Sequence, residues 1–268
     1  MPRPVPSCLL LALLLFAACA REPAPPASRD ARADALLAAV HADALAPAFE
    51  RLHAKPFEAV VRTEVLGNDG RALGAEVQRV RFAPGTGYAL ESRQAEGALE
   101  GTTPAAAPPR LEDPLPRLLP DDPPFVAASL REQYATEMRA DTLVQGRALA
   151  RAEARFVPAR GRKQPVQRVE AGVDEGRLVL VDVRRAMRSF LLQEDSRVRV
   201  ELATTAGGDV PRRVVAETAV NVPLAPPRRQ RVTWTVTEAG GVPLGAAPRL
   251  RSGAPALEAP APLRPPRP

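Results

Sequence analysis

Alternation of apolar and polar residues with a period of two runs through most of this chain and limits it to a β-sheet architecture. The pattern is cleanest in residues 197–202, where two valines and a leucine alternate with arginines and a glutamate, and in residues 231–237. Successive side chains of a strand point to opposite faces, so this alternation predicts one covered and one solvated face. It is typical of an antiparallel meander.

Turn sequences divide the alternating region into about ten stretches. Gly67 to Gly70 and Ala206 to Asp209 contain the Gly, Asn and Asp residues that favour hairpins. The predicted strands cover residues 57–65, 73–82, 88–93, 133–143, 147–157, 164–173, 177–192, 197–205, 211–222 and 228–238.

Helical periodicity precedes the strands. From Asp30 onward, apolar residues recur at three- and four-residue spacing. Because Pro47 interrupts this pattern, the sequence predicts one helix that ends near Ala44 and a short second helix that begins near Pro47. A further short helix is expected at about residues 124–131.

Proline-rich segments mark the regions outside the sheet. Residues 104–124 are interpreted as an insertion or surface loop whose leucines, Leu111 among them, pack on the sheet. Residues 239–268 contain no periodicity and are predicted to be a disordered tail.

The first residues resemble a bacterial lipoprotein leader. A short apolar stretch after Arg3 ends in Phe16-Ala17-Ala18-Cys19, which resembles a lipobox. The resemblance implies a signal peptide over residues 1–18 and a lipidated Cys19 that anchors the protein in a membrane. An ordinary secretory signal, cleaved elsewhere, is the alternative.

Further expectations follow from this anchor. Residues 19–33 then form the lipidated cysteine and a proline-rich tether, and the mature domain has no thiol with which to form a disulfide. Ala20, rather than Asp, follows the cysteine, and by the sorting rule of enteric bacteria this favours the outer membrane, facing the periplasm.

Three segments carry a resemblance to a fold family. Asp141 to Arg147, Val173 to Val179 and Val210 to Arg213 are similar to strand and turn segments of the outer-membrane lipoprotein carrier and receptor proteins, LolA and LolB, whose half-barrel the sensor RseB shares. The resemblance covers residues 34–238 as a single domain. It implies a mainly β (α+β) fold in which a strongly curved antiparallel sheet, or open half-barrel, holds the N-terminal helix on its concave face and leaves a cavity for acyl chains.

Motifs of catalysis are absent from the sequence, so we expect no enzyme and no cofactor. The chain has two histidines, His41 and His53, which are interpreted as solvated, structural side chains without partners for a metal or general-base role. The acidic pairs Asp121-Asp122 and Glu194-Asp195 are interpreted as solvated loop residues. The formal net charge of +6 arises from arginines that alternate with acidic residues, and we expect no nucleic-acid partner.

Two functions remain open from the sequence. The leading hypothesis is an anchored half-barrel that binds acyl chains, a lipid or a lipoprotein without catalysis. The competing hypothesis is a structural or assembly lipoprotein of the envelope that contacts a protein partner and has no ligand cavity. Cavity-lining candidates, which the competing hypothesis places in a filled core, are Val61, Val65, Leu180, Phe190, Val198, Val200, Val232 and Trp234.

Overall fold

A computed structural model of the protein describes residues 28–38, 42–102, 109–113, 125–127, 130–144, 147–158, 164–189 and 191–244. The expected signal peptide, Cys19 and the tail beyond residue 244 lie outside these ranges, as do His41 and Asp121-Asp122.

The strands form one antiparallel sheet. Ten of them follow the order β3-β2-β1-β10-β9-β8-β7-β6-β5-β4, and β11 pairs with the end of β10. β3 and β4 are the two edges, and no pairing joins them in the part of the chain that the structure describes, so the sheet is open. The strands are β1 (Phe57–Leu66), β2 (Ala72–Ala83), β3 (Gly87–Gly97), β4 (Tyr134–Val144), β5 (Arg147–Phe156), β6 (Val166–Asp174), β7 (Arg177–Arg188), β8 (Gln193–Thr205), β9 (Gly208–Asn221), β10 (Arg228–Ala239) and β11 (Val242–Pro243).

Most neighbouring strands are also consecutive in the chain. The exception is the pairing of β1 with β10, which places Val61 opposite Trp234 across nearly the whole length of the domain. This pairing joins the N-terminal three-stranded part of the sheet to the C-terminal seven-stranded meander.

Two helices precede the sheet. α1 (Ala31–Leu37) begins after Asp30, whose carboxylate accepts hydrogen bonds from the main-chain N–H groups of Arg32 and Ala33. α1 therefore starts inside the segment that was predicted to be a tether. Neither helix is long and apolar enough to span a bilayer, and this holds for every helix among the described residues.

α2 (Ala42–His53) corrects the prediction of a break at Pro47. The helix continues through Pro47 although proline cannot donate the intrahelical hydrogen bond. Tertiary packing outweighs that loss, because the apolar face of α2 is buried on both sides of the proline by Leu45, Ala48, Phe49 and Leu52.

Both helices pack on the concave face of the curved sheet, so the predicted fold class is confirmed. α1 contacts β4, β5 and β6, whereas α2 contacts β9. One buried apolar cluster joins the helices to residues from β1 through β10, among them Ala152, Val183 and Trp234.

The convex face carries a ladder of arginines and carboxylates. Arg139 on β4 and Arg168 on β6 both contact Glu153 on β5, at 3.1 and 2.6 Å, and Glu153 is only 1% exposed. Further along the sheet, Arg231 on β10 contacts Glu217 on β9 at 2.6 Å. The arginines cover the carboxylates that they pair with and remain partly exposed themselves, as Arg139 does at 39%, so on this face it is the carboxylates that are shielded from water.

Two boundaries differ from the predictions. The expected helix at residues 124–131 is not present in the described part of that segment, where a 3-10 turn (Arg131–Gln133) leads into β4, although Phe125 is buried as a helix there would require. The predicted tail is ordered as far as Leu244, whose N–H donates to the carbonyl of Thr237 at 2.9 Å.

Candidate functional site

The helices cover the concave face unevenly. The end of α2 lies over the β8–β9 turn, where Arg51 Nε donates to the carbonyl oxygen of Asp209 at 2.9 Å. Lys55, just beyond the helix, lies against Gly207 in the same turn. The opposite half of β8, β9 and β10 is therefore the part of the concave face that α2 leaves open.

A pocket of about 440 Å³ occupies this open half. Its apolar wall consists of Val198, Ala216, Val232 and Trp234, which are neighbours across the three strands. Its polar wall on the sheet consists of Ser196, Thr218 and Gln230. These residues lie side by side on β8, β9 and β10, because Thr218 pairs with Ser196 on one side and with Gln230 on the other.

Residues 109–113 form the outer wall of the pocket and are named the strap here. Pro109, Arg110 and Asp113 line the pocket from above the sheet. The Asp113 carboxylate accepts a hydrogen bond from the main-chain N–H of Arg110 at 2.9 Å, which closes a tight turn. Leu111 is completely buried in the core cluster and holds the strap against the sheet.

A hydrogen-bonded cluster ties the strap to α2 and β3. The Tyr88 hydroxyl on β3 donates to Glu112 at 2.7 Å and accepts from the main-chain N–H of Leu111 at 3.3 Å. His53, at the end of α2, contacts the same hydroxyl through Nε2 at 2.9 Å. Burial, and then the hydrogen bond to Glu112, raises the pKa of Tyr88, so the hydroxyl keeps its proton.

The geometry of this cluster sets the tautomer of His53. Its Nδ1 lies 2.8 Å from the carbonyl oxygen of Phe49, which can only accept, so Nδ1 carries a proton. Its Nε2 faces the Tyr88 hydroxyl at 2.9 Å and the Glu112 carboxylate at 3.3 Å.

Aromatic rings surround the same hydroxyl. Phe57 and Phe82 stack with centroids 4.9 Å apart, and the His53 ring packs edge-on against Phe82 at 4.9 Å. Tyr88 also reaches Trp234 at 5.9 Å, so the cluster adjoins the apolar wall of the pocket. His53 is therefore a half-buried structural link between helix and strap, which agrees with the structural role predicted for it, although its side chain is less solvated than expected.

A polar island interrupts the concave face on β2 and β3. Glu76 accepts hydrogen bonds from Arg93, at 2.9 Å, and from Gln78. The hydrogen bond from Arg93 lowers the pKa of Glu76, against the opposing effect of burial. The amide oxygen of Gln78 is buried without a hydrogen-bond partner.

Three of the eight predicted lining residues line the pocket, namely Val198, Val232 and Trp234. Val61 and Val200 belong to the filled core instead, where they are fully buried. Val65 shares the concave face and pairs with Gln230 at the edge of the pocket.

The prediction for Leu180 was wrong. Val181 and Val183 on β7 face the helices, so the pleat places Leu180 on the convex face. There it packs with Leu149 over Gly172, in a small apolar cluster separate from the core. The prediction for Phe190 concerns a residue outside the described ranges.

Sequence reasoning missed the polar row and the strap. Ser196 stands three residues from the end of a strand and gives no motif, and the strap lies inside a proline-rich segment with no periodicity. The one available signal for the strap was Leu111, an isolated leucine in that segment, which was expected to pack on the sheet and does so.

No group of histidine, cysteine, aspartate or glutamate side chains suited to a metal ion occurs among the described residues. Around the pocket, the polar atoms are hydroxyls, an amide, a guanidinium and a carboxylate. Such groups can orient the polar end of a ligand that leaves its apolar part against Trp234.

The fold and the site define a class: a mainly β protein whose open, curved antiparallel sheet holds two helices and a strap-covered pocket on its concave face.

No protein-family model matches the sequence, and no curated protein matches it. Among solved structures, the chain is similar to a DUF1329 family protein from Desulfovibrio piger, with 10% identity, coverage of 68% of this chain and 83% of that chain, and a TM-score of 0.24. It is also similar to a domain from Vibrio parahaemolyticus described as an outer membrane lipoprotein-sorting protein, with 7% identity, coverage of 69% and 84%, and a TM-score of 0.23.

Proposed function

We propose that this protein is a lipoprotein, anchored in the cell envelope through Cys19, that binds a hydrophobic ligand such as an acyl chain in the pocket beneath the strap. The proposal assigns it to the periplasmic side of the outer membrane and gives it no catalytic step. The pocket is the observation that carries the proposal. A structural lipoprotein that binds no ligand would have no use for an uncovered concave surface beside a buried tryptophan.

The dimensions and chemistry of the pocket support an amphiphilic ligand. A volume of about 440 Å³ falls within the usual range for small-molecule sites. Its apolar wall removes methylene groups from water, which stabilises a bound chain by about 0.8 kcal/mol for each group. The row of Ser196, Thr218 and Gln230 then lies next to the polar end of the same ligand.

The sequence resemblance supports the same proposal. The segments similar to the LolA and LolB family are the β4–β5 and β6–β7 hairpins and the first part of β9, which belong to the sheet that carries the pocket.

Trp234 provides a direct test, because it is the only tryptophan in the chain and it lines the pocket. A dansyl-labelled fatty acid is titrated into a chain of residues 20–268, which contains the whole described core. We expect saturable energy transfer from Trp234 to the dansyl group, and native mass spectrometry should show one bound acid per chain.

Two variants on β9 make the test specific. Ala216→Phe places a ring inside the pocket and should abolish the energy transfer, whereas Ala219→Phe makes the same change on the convex face and should leave it intact. Absence of saturable binding by a folded protein, or equal binding by both variants, would refute the proposed pocket and favour the scaffold hypothesis.

A further inference from the structure

Three hairpins present their tips side by side at one end of the sheet. They are the β7–β8, β9–β10 and β1–β2 turns, and the register aligns them. Gln193 pairs with Asn221 on one side of the group, and Arg229 pairs with Leu66 on the other. The tips therefore form one continuous surface, named the tip surface here.

The central tip is apolar and fully exposed. Between β9 and β10 the chain reads Val-Pro-Leu-Ala-Pro-Pro over residues 222–227, and every one of these residues is exposed. Leu224 has a φ of +66° and a completely exposed side chain. A leucine is disfavoured in the left-handed region, and an exposed leucine side chain is disfavoured in water. Neither the local conformation nor burial against the described residues therefore explains a leucine at this position.

The neighbouring tips repeat the combination of leucine and arginine. Leu191, which is 69% exposed, lies three residues after Arg188, and Leu73, which is 58% exposed, lies two residues after Arg71. Both arginines also form ion pairs, Arg188 with Asp195 at 2.6 Å and Arg71 with Asp69 at 3.5 Å. In the central tip, Arg228 follows the apolar segment, is exposed, and makes no ion pair with any described residue.

The opposite end of the sheet differs in the described residues. Its turns at Glu175–Gly176 and Ala206–Gly207 are short and contain glycine but no large apolar residue. Single exposed apolar residues do occur there, namely Leu143 near the end of β4, 74% exposed, and Val242 on β11, 55% exposed. No run of exposed apolar residues like residues 222–227 occurs at that end in the part of the chain that the structure describes.

We infer that the tip surface docks on a phospholipid bilayer, with the leucines inserted at the interface and the unpaired Arg228 beside an anionic headgroup. Exposed leucines that project from adjacent turns can enter the acyl region, and guanidinium groups at their bases complement phosphate charge. This contact is independent of any lipid attached to Cys19 and goes beyond ligand binding in the pocket.

Docking in this orientation has a consequence for the pocket. Ser196, Thr218 and Gln230 stand within three residues of the strand ends that carry the tips. The polar row of the pocket therefore lies at the membrane-facing end of the domain, whereas the end of α2 lies at the far end.

Flotation of residues 20–268 with vesicles tests the inference without the anchor. With vesicles of phosphatidylcholine and phosphatidylglycerol at about 7:3, we expect the protein to float with the lipid.

Leu224→Asn should lower the partition coefficient about tenfold. Asparagine suits a left-handed conformation, so this variant should unfold at the same temperature as the parent protein or at a higher one. Arg228→Gln should lower partition about fivefold, and only when phosphatidylglycerol is present.

Leu143→Asn is the matched control at the opposite end of the sheet, and it should float like the parent protein. Failure of the parent protein to float, or equal losses in Leu224→Asn and Leu143→Asn, would overturn the inference. If the parent protein does not float, a protein partner would be left as the occupant of the tip surface. The fatty-acid titration does not involve vesicles, so loss of docking and loss of pocket binding are separate results.

Discussion

On β10, Trp234 points toward the helices, while Thr233 and Arg231 point the other way, and the two faces bury side chains by different means. On the concave face, apolar side chains pack against α1 and α2. On the convex face, arginines cover individual carboxylates, as at Glu153 and Glu217. The comparison teaches that burial alone does not identify the functional face; the pocket exists where a helix is missing over apolar strands.

The largest effect should come from breaking the concave face at Trp234. Trp234→Ala removes a fully buried ring and leaves a cavity next to the pocket, so we expect a loss of about 3–5 kcal/mol in the free energy of unfolding. Thr233→Ala, its neighbour on the convex face, should cost about 0.5 kcal/mol or less. Urea unfolding followed by circular dichroism measures both, and similar losses would contradict the distinction between the faces.

The convex face should be most sensitive at Glu153. Glu153→Ala leaves Arg139 and Arg168 facing each other without the carboxylate between them, which should cost about 2 kcal/mol. The exposed pair of Glu58 and Arg81 provides the control, because water screens it, and Glu58→Ala should not change the unfolding midpoint measurably. Equal effects of the two substitutions would show that the ladder contributes no more than ordinary surface ion pairs.

A smaller effect is expected at the strap. Tyr88→Phe removes the hydroxyl that serves Glu112, His53 and the N–H of Leu111, and should cost about 1 kcal/mol. Hydrogen exchange of the Leu111 amide should accelerate about tenfold, because the strap opens more often. Tyr134→Phe loses a buried hydroxyl that bonds to the carbonyl of Val166 and makes no hydrogen bond to the strap, so Leu111 exchange should stay as it is.

The smallest effect concerns the one carboxylate in the polar island of the concave face. The pKa of Glu76 is lowered in the folded protein, so its contribution to stability is complete above pH 4.5 and is lost as the pH falls through the lowered value. Glu76→Gln should therefore reduce the steepness of acid destabilisation below pH 4.5. Thermal unfolding across that range measures this slope, with Glu50→Gln at an exposed position of α2 as the control. A slope that remains as steep as in the parent protein would contradict the role of Glu76.

The strands were predictable because each carries its own evidence. Period-two alternation and glycine-containing turns are local, and they located nearly every strand to within a few residues, with β8 and β9 beginning earlier than expected. Pro47 and Leu180 were predicted wrongly for the same physical reason, since each was judged without its neighbours. Packing on the sheet carries α2 through Pro47, and the pleat of β7 places Leu180 on the convex face beside Leu149.

The pocket could be predicted only in part. Trp234, Val232 and Val198 are apolar residues on one face of their strands, and that much follows from alternation. The row of Ser196, Thr218 and Gln230 depends on the register of three strands, which no one strand encodes. The strap depends on Leu111 reaching a site beside Tyr88 that lies more than twenty residues earlier in the chain.

By itself, the sequence determined that this protein is an antiparallel sheet preceded by helical residues, because side-chain alternation and turn chemistry act over a few residues. The tertiary structure alone decided which alternating face holds the helices, which half of that face stays open, and that three leucine-bearing tips share one end of the sheet. Those outcomes arise from long-range pairing, above all of β1 with β10, which brings together residues that are distant in the chain.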